Sequence, residues 1–317
     1  MSVMSILFPG QGAFEPAPAL AMLRDVPWLR KGFAEGGDIL GVDLEREIET
    51  AMSTGGTSVF LQHCGTFLWS LLLFEKLGLR NCDTVRLAGH SLGQFAAYAA
   101  SGAIDRDAAI ALVAQRGRVL EDACREHPGM MVAVQGGSLA EVGRLCEQCA
   151  SLGPVVVANV NDSHQIVVSG KADAVIEVRR LARASSWRST VLNTAGAFHS
   201  PLMRDAADRF AGVLAHLGVT APKRPLLDAN TGEYLPTSEA VERSAFAHML
   251  APVRWDRISD VMVASDDCVV LELGPGRVLT GLARARNRQA LVLSTHNPAA
   301  LPTVRSHLAP YLDETSV

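Results

Sequence analysis

The chain has 317 residues, of which 48% are hydrophobic and 20% are charged, so it can bury a large core in one large domain or two unequal ones. Its formal net charge of -4 at pH 7 gives no basic footprint, and we expect no nucleic-acid partner. The apolar run from Phe67 to Leu77 is too short to span a bilayer and includes charged residues, so we expect no membrane association.

The cysteines give no sign of a metal site. Six are dispersed along the chain, and only Cys146 and Cys149 have C-x-x-C spacing, without a second pair of ligands. The segment from Met1 to Phe8 has no basic region and is too short for a signal peptide. We therefore expect reduced thiols in a cytoplasmic protein with no bound metal.

The first predicted element is a buried strand from Val3 to Phe8, which runs into the turn Pro9-Gly10-Gln11-Gly12. Gln11 thus follows the carboxyl end of a strand, and ligands of open α/β sheets bind at that edge. A mostly apolar helix is predicted next, from Val59 to Leu77.

The segment from Arg86 to Ala97 predicts a strand, a tight turn and an Ala-rich helix, with Ser91 at the corner between Gly89 and Gly93. This is the G-x-S-x-G pattern of a nucleophile elbow, although the bare pattern also occurs in turns without chemistry. The strand-turn-helix context favours a nucleophile. Ser91 would stand at the positive end of the helix, with the N–H of Leu92 free to donate to an oxyanion.

A helix predicted from Arg106 to Glu126 carries an arginine on its apolar face. The residues three and four positions from Arg116 on either side are Leu112, Val113, Val119 and Leu120. A guanidinium aimed at a core is costly unless it is paired. An internal carboxylate, an anionic ligand or an extension of the side chain to the surface would each resolve this, and the sequence leaves the three open.

From Gly129 the order of predicted elements is β-α-β-β-α-β, which is typical of a small ferredoxin-like unit inserted in a larger domain. The predicted strands and helices cover residues 130–134, 139–150, 155–159, 165–170, 171–184 and 188–192. Further helices are predicted at 238–250 and 278–286, and a last buried strand at 268–273.

Several short motifs then occur in a characteristic order and spacing. They are Gly10-Gln11-Gly12, Gly89-His90-Ser91-Leu92-Gly93, Arg116, Gly196-Ala197-Phe198-His199-Ser200, Pro252-Val253-Arg254-Trp255 and Glu272-Leu273-Gly274-Pro275-Gly276. Over nearly the whole chain this set resembles the malonyl-CoA:acyl carrier protein transacylase family. The resemblance implies an α/β-hydrolase-like large domain, residues 1–128 and 196–317, with an inserted ferredoxin-like small domain, residues 129–195, and an active site between them.

The resemblance also assigns the reacting groups. Ser91 matches the nucleophile and His199 its general base, while the backbone N–H groups of Gln11 and Leu92 match the oxyanion hole. In the family a main-chain carbonyl orients the histidine, and the matching position is near His248, where many relatives have Gln.

Three further residues match positions that contact the acyl group. His90 and Arg116 resemble the pair that flanks the acyl group, with Arg116 binding its free carboxylate, and Phe198 resembles the residue that narrows the pocket against branched groups. A bidentate pair with a carboxylate is a task for Arg rather than Lys.

The implied function is transfer of an acyl group, with malonyl as first choice, from coenzyme A to the phosphopantetheine thiol of an acyl carrier protein through an acyl-serine. Fatty-acid or polyketide biosynthesis is the implied setting, with acyl-CoA and the carrier as substrates and no permanently bound cofactor.

Departures from the family pattern keep other functions open. Ala13-Phe14 stands where most relatives have Ser-Gln, Ser58-Val59 replaces a usual Gln-Pro, and Gly196 stands where malonyl-specific polyketide domains often have His. The alternatives are transfer or hydrolysis of an unusual acyl group held by a carrier protein, and a carrier-binding protein without catalysis.

Overall fold

Two β-sheets organise the chain, which the computed structural model describes at residues 4–82, 84–265 and 268–312. The strands are β1 (Met4–Phe8), β2 (Val85–Gly89), β3 (Met130–Gln135), β4 (Val155–Val160), β5 (Gln165–Gly170), β6 (Arg188–Val191), β7 (Val253–Arg254), β8 (Val269–Glu272) and β9 (Leu291–Ser294). The helices are α1 (Pro16–Asp25), α2 (Pro27–Leu40), α3 (Leu44–Thr54), α4 (Val59–Lys76), α5 (Gly93–Ser101), α6 (Arg106–Glu126), α7 (Leu139–Cys149), α8 (Ala172–Ala184), α9 (Arg204–Leu214), α10 (Ser238–Ala247), α11 (Trp255–Met262), α12 (Val278–Arg286) and α13 (Leu301–Leu308).

The larger sheet has the strand order β2-β1-β8-β9, and all of its pairs are parallel. Strands β1 and β8 are fully buried and β2 nearly so, which explains why they read as largely apolar runs rather than alternating patterns, whereas the edge strand β9 is partly exposed. The register places Phe8 opposite Gly89 at the carboxyl ends of β1 and β2. The turns that hold Gln11 and Ser91 therefore leave the sheet side by side.

The smaller sheet has the order β6-β3-β5-β4-β7. Its first four strands pair antiparallel, in the order expected for a β-α-β-β-α-β unit, so the predicted fold class is confirmed. Strand β7, which follows the predicted insert by more than 50 residues, adds in parallel to β4, with Asn159 opposite Val253. The limits 129–195 stay a prediction, and residues 1–3 and 313–317 of the predicted large domain, with Val3 of the first predicted strand, lie outside the described residues.

The helix predictions around the elbow are close to the observed elements. Helices α6 and α12 have the predicted bounds, α4 ends one residue before its predicted end, and α5 is the predicted helix after the elbow. No element was predicted between the first turn and α4, where the structure has α1, α2 and α3. Within the described residues no helix is long and apolar enough to cross a bilayer.

Gly93 allows the elbow to approach β1. A Cβ at this position would overlap the carbonyl group of Phe8 and lie 2.7 Å from the carbonyl oxygen of Pro9. The backbone N–H of His90 donates to the same Phe8 carbonyl at 2.9 Å. The elbow and the end of β1 are thus in direct backbone contact, and a side chain does not fit between them.

We predict that Gly93→Ala lowers the free energy of unfolding by about 1–3 kcal/mol or more, because backbone must shift to admit the methyl group. Gly281→Ala is the matched control, since nothing lies within 4 Å of a Cβ on this exposed position of α12. That change should raise stability by about 0.5–1 kcal/mol. Urea unfolding of the three proteins measures both values, and equal effects at the two glycines would contradict the close approach.

Candidate active site

Ser91 and His199 come together from positions 108 residues apart. Ser91 Oγ lies 2.7 Å from His199 Nε2. Both residues have positive φ angles, 47° for Ser91 and 57° for His199, which is strained backbone for residues other than glycine. Two turns therefore hold the two residues in an unusual backbone conformation. Such strain is commonly found where a fold positions reacting groups.

A main-chain carbonyl fixes the tautomer of His199. Its Nδ1 lies 2.9 Å from the carbonyl oxygen of Ala251, so Nδ1 carries the proton and donates it. Nε2 is then unprotonated and accepts the hydroxyl hydrogen of Ser91. This is the arrangement that general-base activation of a serine requires.

The prediction that the carbonyl of His248 orients His199 needs a correction. The 2.9 Å bond is made by Ala251, three residues further along, and the His248 carbonyl has a smaller effect on the pKa of His199. His248 follows the last residue of α10 and still has helical dihedral angles, so its carbonyl is aligned with the helix axis. Ala251 lies beyond the helix.

Asn230 holds the Ala251 carbonyl in place, and the sequence analysis missed it. Its side-chain Nδ2 donates to the carbonyl oxygens of Ala251, at 3.3 Å, and Pro252, at 3.0 Å. Asn230 belongs to an Asn-Thr-Gly turn, and local sequence does not distinguish such an asparagine from one that only shapes a turn.

Burial keeps His199 neutral. Only 3% of the residue is exposed. Burial, and secondarily the positive charge of Arg116, lowers the pKa of His199 to about 3, against the opposing effect of the Ala251 carbonyl. The imidazole is therefore in its basic form at neutral pH. His248 connects it to the guanidinium, because the His248 ring lies 5.6 Å from that of His199 and its Nδ1 lies 3.5 Å from Arg116 Nη2.

Two backbone N–H groups, one in the turn after β1 and one directly after Ser91 in the chain, lack an acceptor among the described residues. Within the described part of the chain, the amides of Gln11 and Leu92 donate no hydrogen bond. Gln62 of α4 holds the first of these turns, because its Oε1 accepts from Gly12 N at 3.2 Å and its Nε2 donates to Phe14 O at 2.8 Å. The sequence analysis did not single out Gln62.

Arg116 points inward, as its position on α6 predicts, and 3% of it is exposed. Among the described residues no carboxylate pairs with it, so the internal ion pair considered above is absent from them. Its Nη1 contacts His63 Nε2, its Nη2 lies 3.5 Å from His248 Nδ1, and its Cζ lies 5.2 Å from the centre of the Phe95 ring. Burial lowers the pKa of Arg116 to about 9, and the guanidinium remains charged at neutral pH.

His90 faces the small sheet instead of Arg116. Its Nε2 lies 3.2 Å from Asn161 Oδ1 and 3.4 Å from Asn159 Nδ2, and its ring packs 5.4 Å from that of Trp255. No contact joins His90 and Arg116, although both were predicted to flank the acyl group. His90 therefore connects the elbow to the small domain.

Comparison with known proteins decides the family. Residues 74–306 match the acyl transferase domain family. The chain belongs to that acyltransferase family.

The sequence aligns with relatives over almost the full length of both proteins. The malonyl CoA-acyl carrier protein transacylase of Salmonella typhimurium is 30% identical over 95% of this chain and 98% of its own length. The corresponding protein of Mycobacterium bovis is 30% identical over 94% and 98%.

Solved structures show the same fold. A malonyl-transacylase in complex with its type II PKS acyl-carrier protein superimposes with a TM-score of 0.88 at 26% identity, over 96% of this chain and 100% of that chain. The Streptococcus pneumoniae enzyme MCAT superimposes with a TM-score of 0.87 at 27% identity, over 96% and 100%.

Side-chain packing explains two of the departures from the family pattern, at Phe14 and at Gly196. Phe14 is fully buried against Phe33 and Trp69, with ring centres 6.4 and 6.3 Å apart, and anchors the turn after Gln11. At Gly196 a Cβ would overlap Cys124 Sγ, so this acyltransferase has no room there for a histidine.

Phe198 and the Gly274-Pro275-Gly276 segment have different structural roles. Phe198 is 7% exposed and belongs to the main core, next to His199 in the chain. The Gly-Pro-Gly segment joins β8 to α12, and the Glu272 carboxylate that precedes it accepts from the amides of Leu279 and Thr280. The motif at Glu272 thus stabilises the start of a helix.

We predict that the acyltransferase loses stability in acid because it buries neutral histidines. Burial lowers the pKa of His63, His199 and His248 below the value of about 6.5 that applies to the unfolded chain. Below pH 6.5 the unfolded state therefore binds more protons, and the free energy of unfolding falls as pH falls, down to about pH 3 for His199. Well below pH 6.5, where the unfolded chain is fully protonated at this position, His199 contributes up to about 1.4 kcal/mol per pH unit, and His63 and His248 act in the same direction.

Urea unfolding between pH 6.5 and 5 measures this slope. His199→Gln should make it shallower by about 1 kcal/mol per pH unit on average, because one buried titrating group is removed and the unfolded histidine is only half protonated at pH 6.5. Ser306→Ala, at an exposed position of α13, removes no titrating group and is the control that should keep the parent slope. Identical slopes in all three proteins would contradict the burial of a neutral His199.

Proposed function

We propose that this acyltransferase moves a malonyl group from malonyl-CoA to the phosphopantetheine thiol of an acyl carrier protein in fatty-acid or polyketide biosynthesis. The observation that carries the proposal is a Ser91–His199 pair in the same site as a buried guanidinium without a carboxylate partner among the described residues. The names of the relatives and the carrier complex of one structural neighbour support it.

In the first half-reaction Ser91 Oγ attacks the thioester carbonyl while His199 Nε2 takes the hydroxyl proton. The N–H groups of Gln11 and Leu92 donate to the oxyanion that forms on the carbonyl oxygen. As the C–S bond breaks, His199 returns the proton to the thiolate, and coenzyme A leaves with malonyl bound to Ser91 as an ester.

The second half-reaction repeats these steps with a different nucleophile. The carrier's phosphopantetheine thiol gives its proton to His199 and attacks the ester, and Ser91 regains a proton when the acyl group leaves. Because His199 is neutral at the start of each half, its Nε2 can accept a proton in both.

Arg116 selects the acyl group by its charge. Its guanidinium is buried, where an interaction with a carboxylate is stronger than in water, and a planar fork of N–H donors matches a carboxylate. Phe198 limits the width of the pocket. This combination suits a small acyl group that ends in a carboxylate.

The proposal includes no permanently bound cofactor, because proton transfer and acyl transfer use Ser91, His199 and backbone N–H groups alone. We also propose a cytoplasmic location for the enzyme. All six cysteines are free thiols, which supports a reducing compartment.

The intact mass after brief incubation with malonyl-CoA tests the nucleophile. We expect a malonyl adduct on the parent protein and none on Ser91→Ala, because the mutant lacks the attacking oxygen. Ser101→Ala is the control. Ser101 is the buried last residue of α5, the helix that follows Ser91, and this variant should be malonylated on Ser91 as the parent is. An adduct on Ser91→Ala would rule out Ser91 as the nucleophile.

The charge of Arg116 is tested by comparing malonyl-CoA with acetyl-CoA. We predict that Arg116→Ala slows malonylation of Ser91 by about 100-fold while acetylation changes little, because about 1.5–3 kcal/mol is lost for each hydrogen bond to a charged group. Arg118→Ala on the exposed side of the same helix, where Cζ lies 4.9 Å from the Phe60 ring, should change neither rate. Stopped-flow measurement of coenzyme A release gives both rates, and unchanged malonylation in Arg116→Ala would contradict the carboxylate contact.

A parent protein that is folded but takes no malonyl group from coenzyme A would favour the alternative reaction. The same Ser91–His199 pair would then accept an acyl group from a carrier protein, and acyl-carrier donors would label Ser91.

A further inference from the structure

Arg116 has an uncharged partner where a buried arginine usually has a carboxylate. His63 is fully buried on α4, and its Nε2 contacts Nη1 of Arg116. His63 Nδ1 lies 2.7 Å from the carbonyl oxygen of Val59, one turn earlier in the same helix. A carbonyl can only accept, so Nδ1 carries the proton and Nε2 presents a lone pair to the guanidinium.

The packing of α4 against α6 creates this contact. Gly117 follows Arg116, and a Cβ on it would lie 2.8 Å from Phe60 Cα and 3.4 Å from His63 Cβ. The missing side chain lets the two helices approach closely at this point. His63 and Arg116 therefore meet by the shape of the helix interface.

A neutral acceptor and an anionic acceptor would affect Arg116 differently. Either one orients the guanidinium through an N–H bond, but a carboxylate would also cancel its charge and weaken its attraction for a ligand carboxylate. Burial and the charge of Arg116 both lower the pKa of His63, which keeps the imidazole neutral. The Nε of Arg116 has no partner among the described residues, so at least one donor is left for a ligand.

We propose that His63 is a positioning residue that orients Arg116 without neutralising it, and thereby sets the preference of the site for acyl groups that end in a carboxylate. This inference rests on the proposed function, because it explains how the malonyl carboxylate is recognised. His248, 3.5 Å from the other terminal nitrogen, gives the guanidinium a second uncharged neighbour.

The test replaces His63 by two side chains of equal size and different charge. His63→Gln keeps a neutral acceptor, and His63→Glu supplies an anionic one. For each variant, acylation of Ser91 is measured with malonyl-CoA and with acetoacetyl-CoA, which has a similar shape but an uncharged end. A second matched pair is succinyl-CoA and 4-oxopentanoyl-CoA.

We expect His63→Glu to lower kcat/KM for the carboxylated thioester by about 10- to 100-fold relative to its uncharged partner, chiefly through KM, because hydrogen bonds to charged groups are worth about 1.5–3 kcal/mol. His63→Gln should keep the ratio within about threefold of the parent. The uncharged thioesters report whether each variant is folded and can still be acylated.

If no thioester acylates the His63→Glu protein, His63→Leu is used to test the proposal instead. This change removes the acceptor without adding charge. Because no acceptor then orients the guanidinium of Arg116, the ratio of kcat/KM for the carboxylated thioester to kcat/KM for its uncharged partner should fall. Acylation by acetoacetyl-CoA should be retained. An unchanged ratio in His63→Glu, or in His63→Leu where that variant decides, would overturn the proposal.

The outcomes for the two proposals are distinct. A parent protein that accepts succinyl but not malonyl groups would contradict malonyl as the substrate, and the effect of His63 would still be measured on the succinyl pair. A parent protein that prefers none of the carboxylated thioesters would overturn both proposals, because Arg116 would then not recognise a carboxylate.

Discussion

The hydrogen bond between Ser91 Oγ and His199 Nε2 depends on three distant segments of the chain. Ser91 follows β2, His199 lies in the turn after the small domain, and the Ala251 carbonyl that orients His199 follows α10. The bond exists because Gly93 lets the elbow contact β1, and because Asn230 holds the carbonyl. Each contact fixes the orientation of the next group, so an error at one of them would move the reacting atoms apart.

Burial has opposite consequences for the histidines and for Arg116. A low-dielectric site disfavours charge, and His63, His199 and His248 accordingly stay neutral. Arg116 keeps its charge there because its unperturbed pKa is far above neutrality, even though burial lowers it to about 9. The result is one fixed positive charge among neutral bases, which suits a substrate that brings its own carboxylate.

Residues that depart from the family pattern illustrate how far sequence reasoning reaches. Ala13-Phe14 departs from the family pattern close to Gln11. In the structure Phe14 is buried between Phe33 and Trp69 and holds the turn that contains Gln11. Gln94 stands where the family commonly has Glu, and its amide both accepts from Gly89 N and donates to Leu227 O, which a carboxylate does not do. His63 gave no signal at all, since a histidine in an apolar helix is indistinguishable from a core residue.

The sequence by itself determined the strand-turn-helix at Ser91, the inward direction of Arg116 and the order of elements in the small domain, because these follow from local spacing and helical or strand periodicity. Only the tertiary structure decided that Ala251 rather than His248 makes the short bond to His199, that Asn230 supports it, and that His63 faces Arg116. Those contacts join segments 21 to 53 residues apart. Periodicity carries no information about such pairs, since they depend on how whole helices and strands pack.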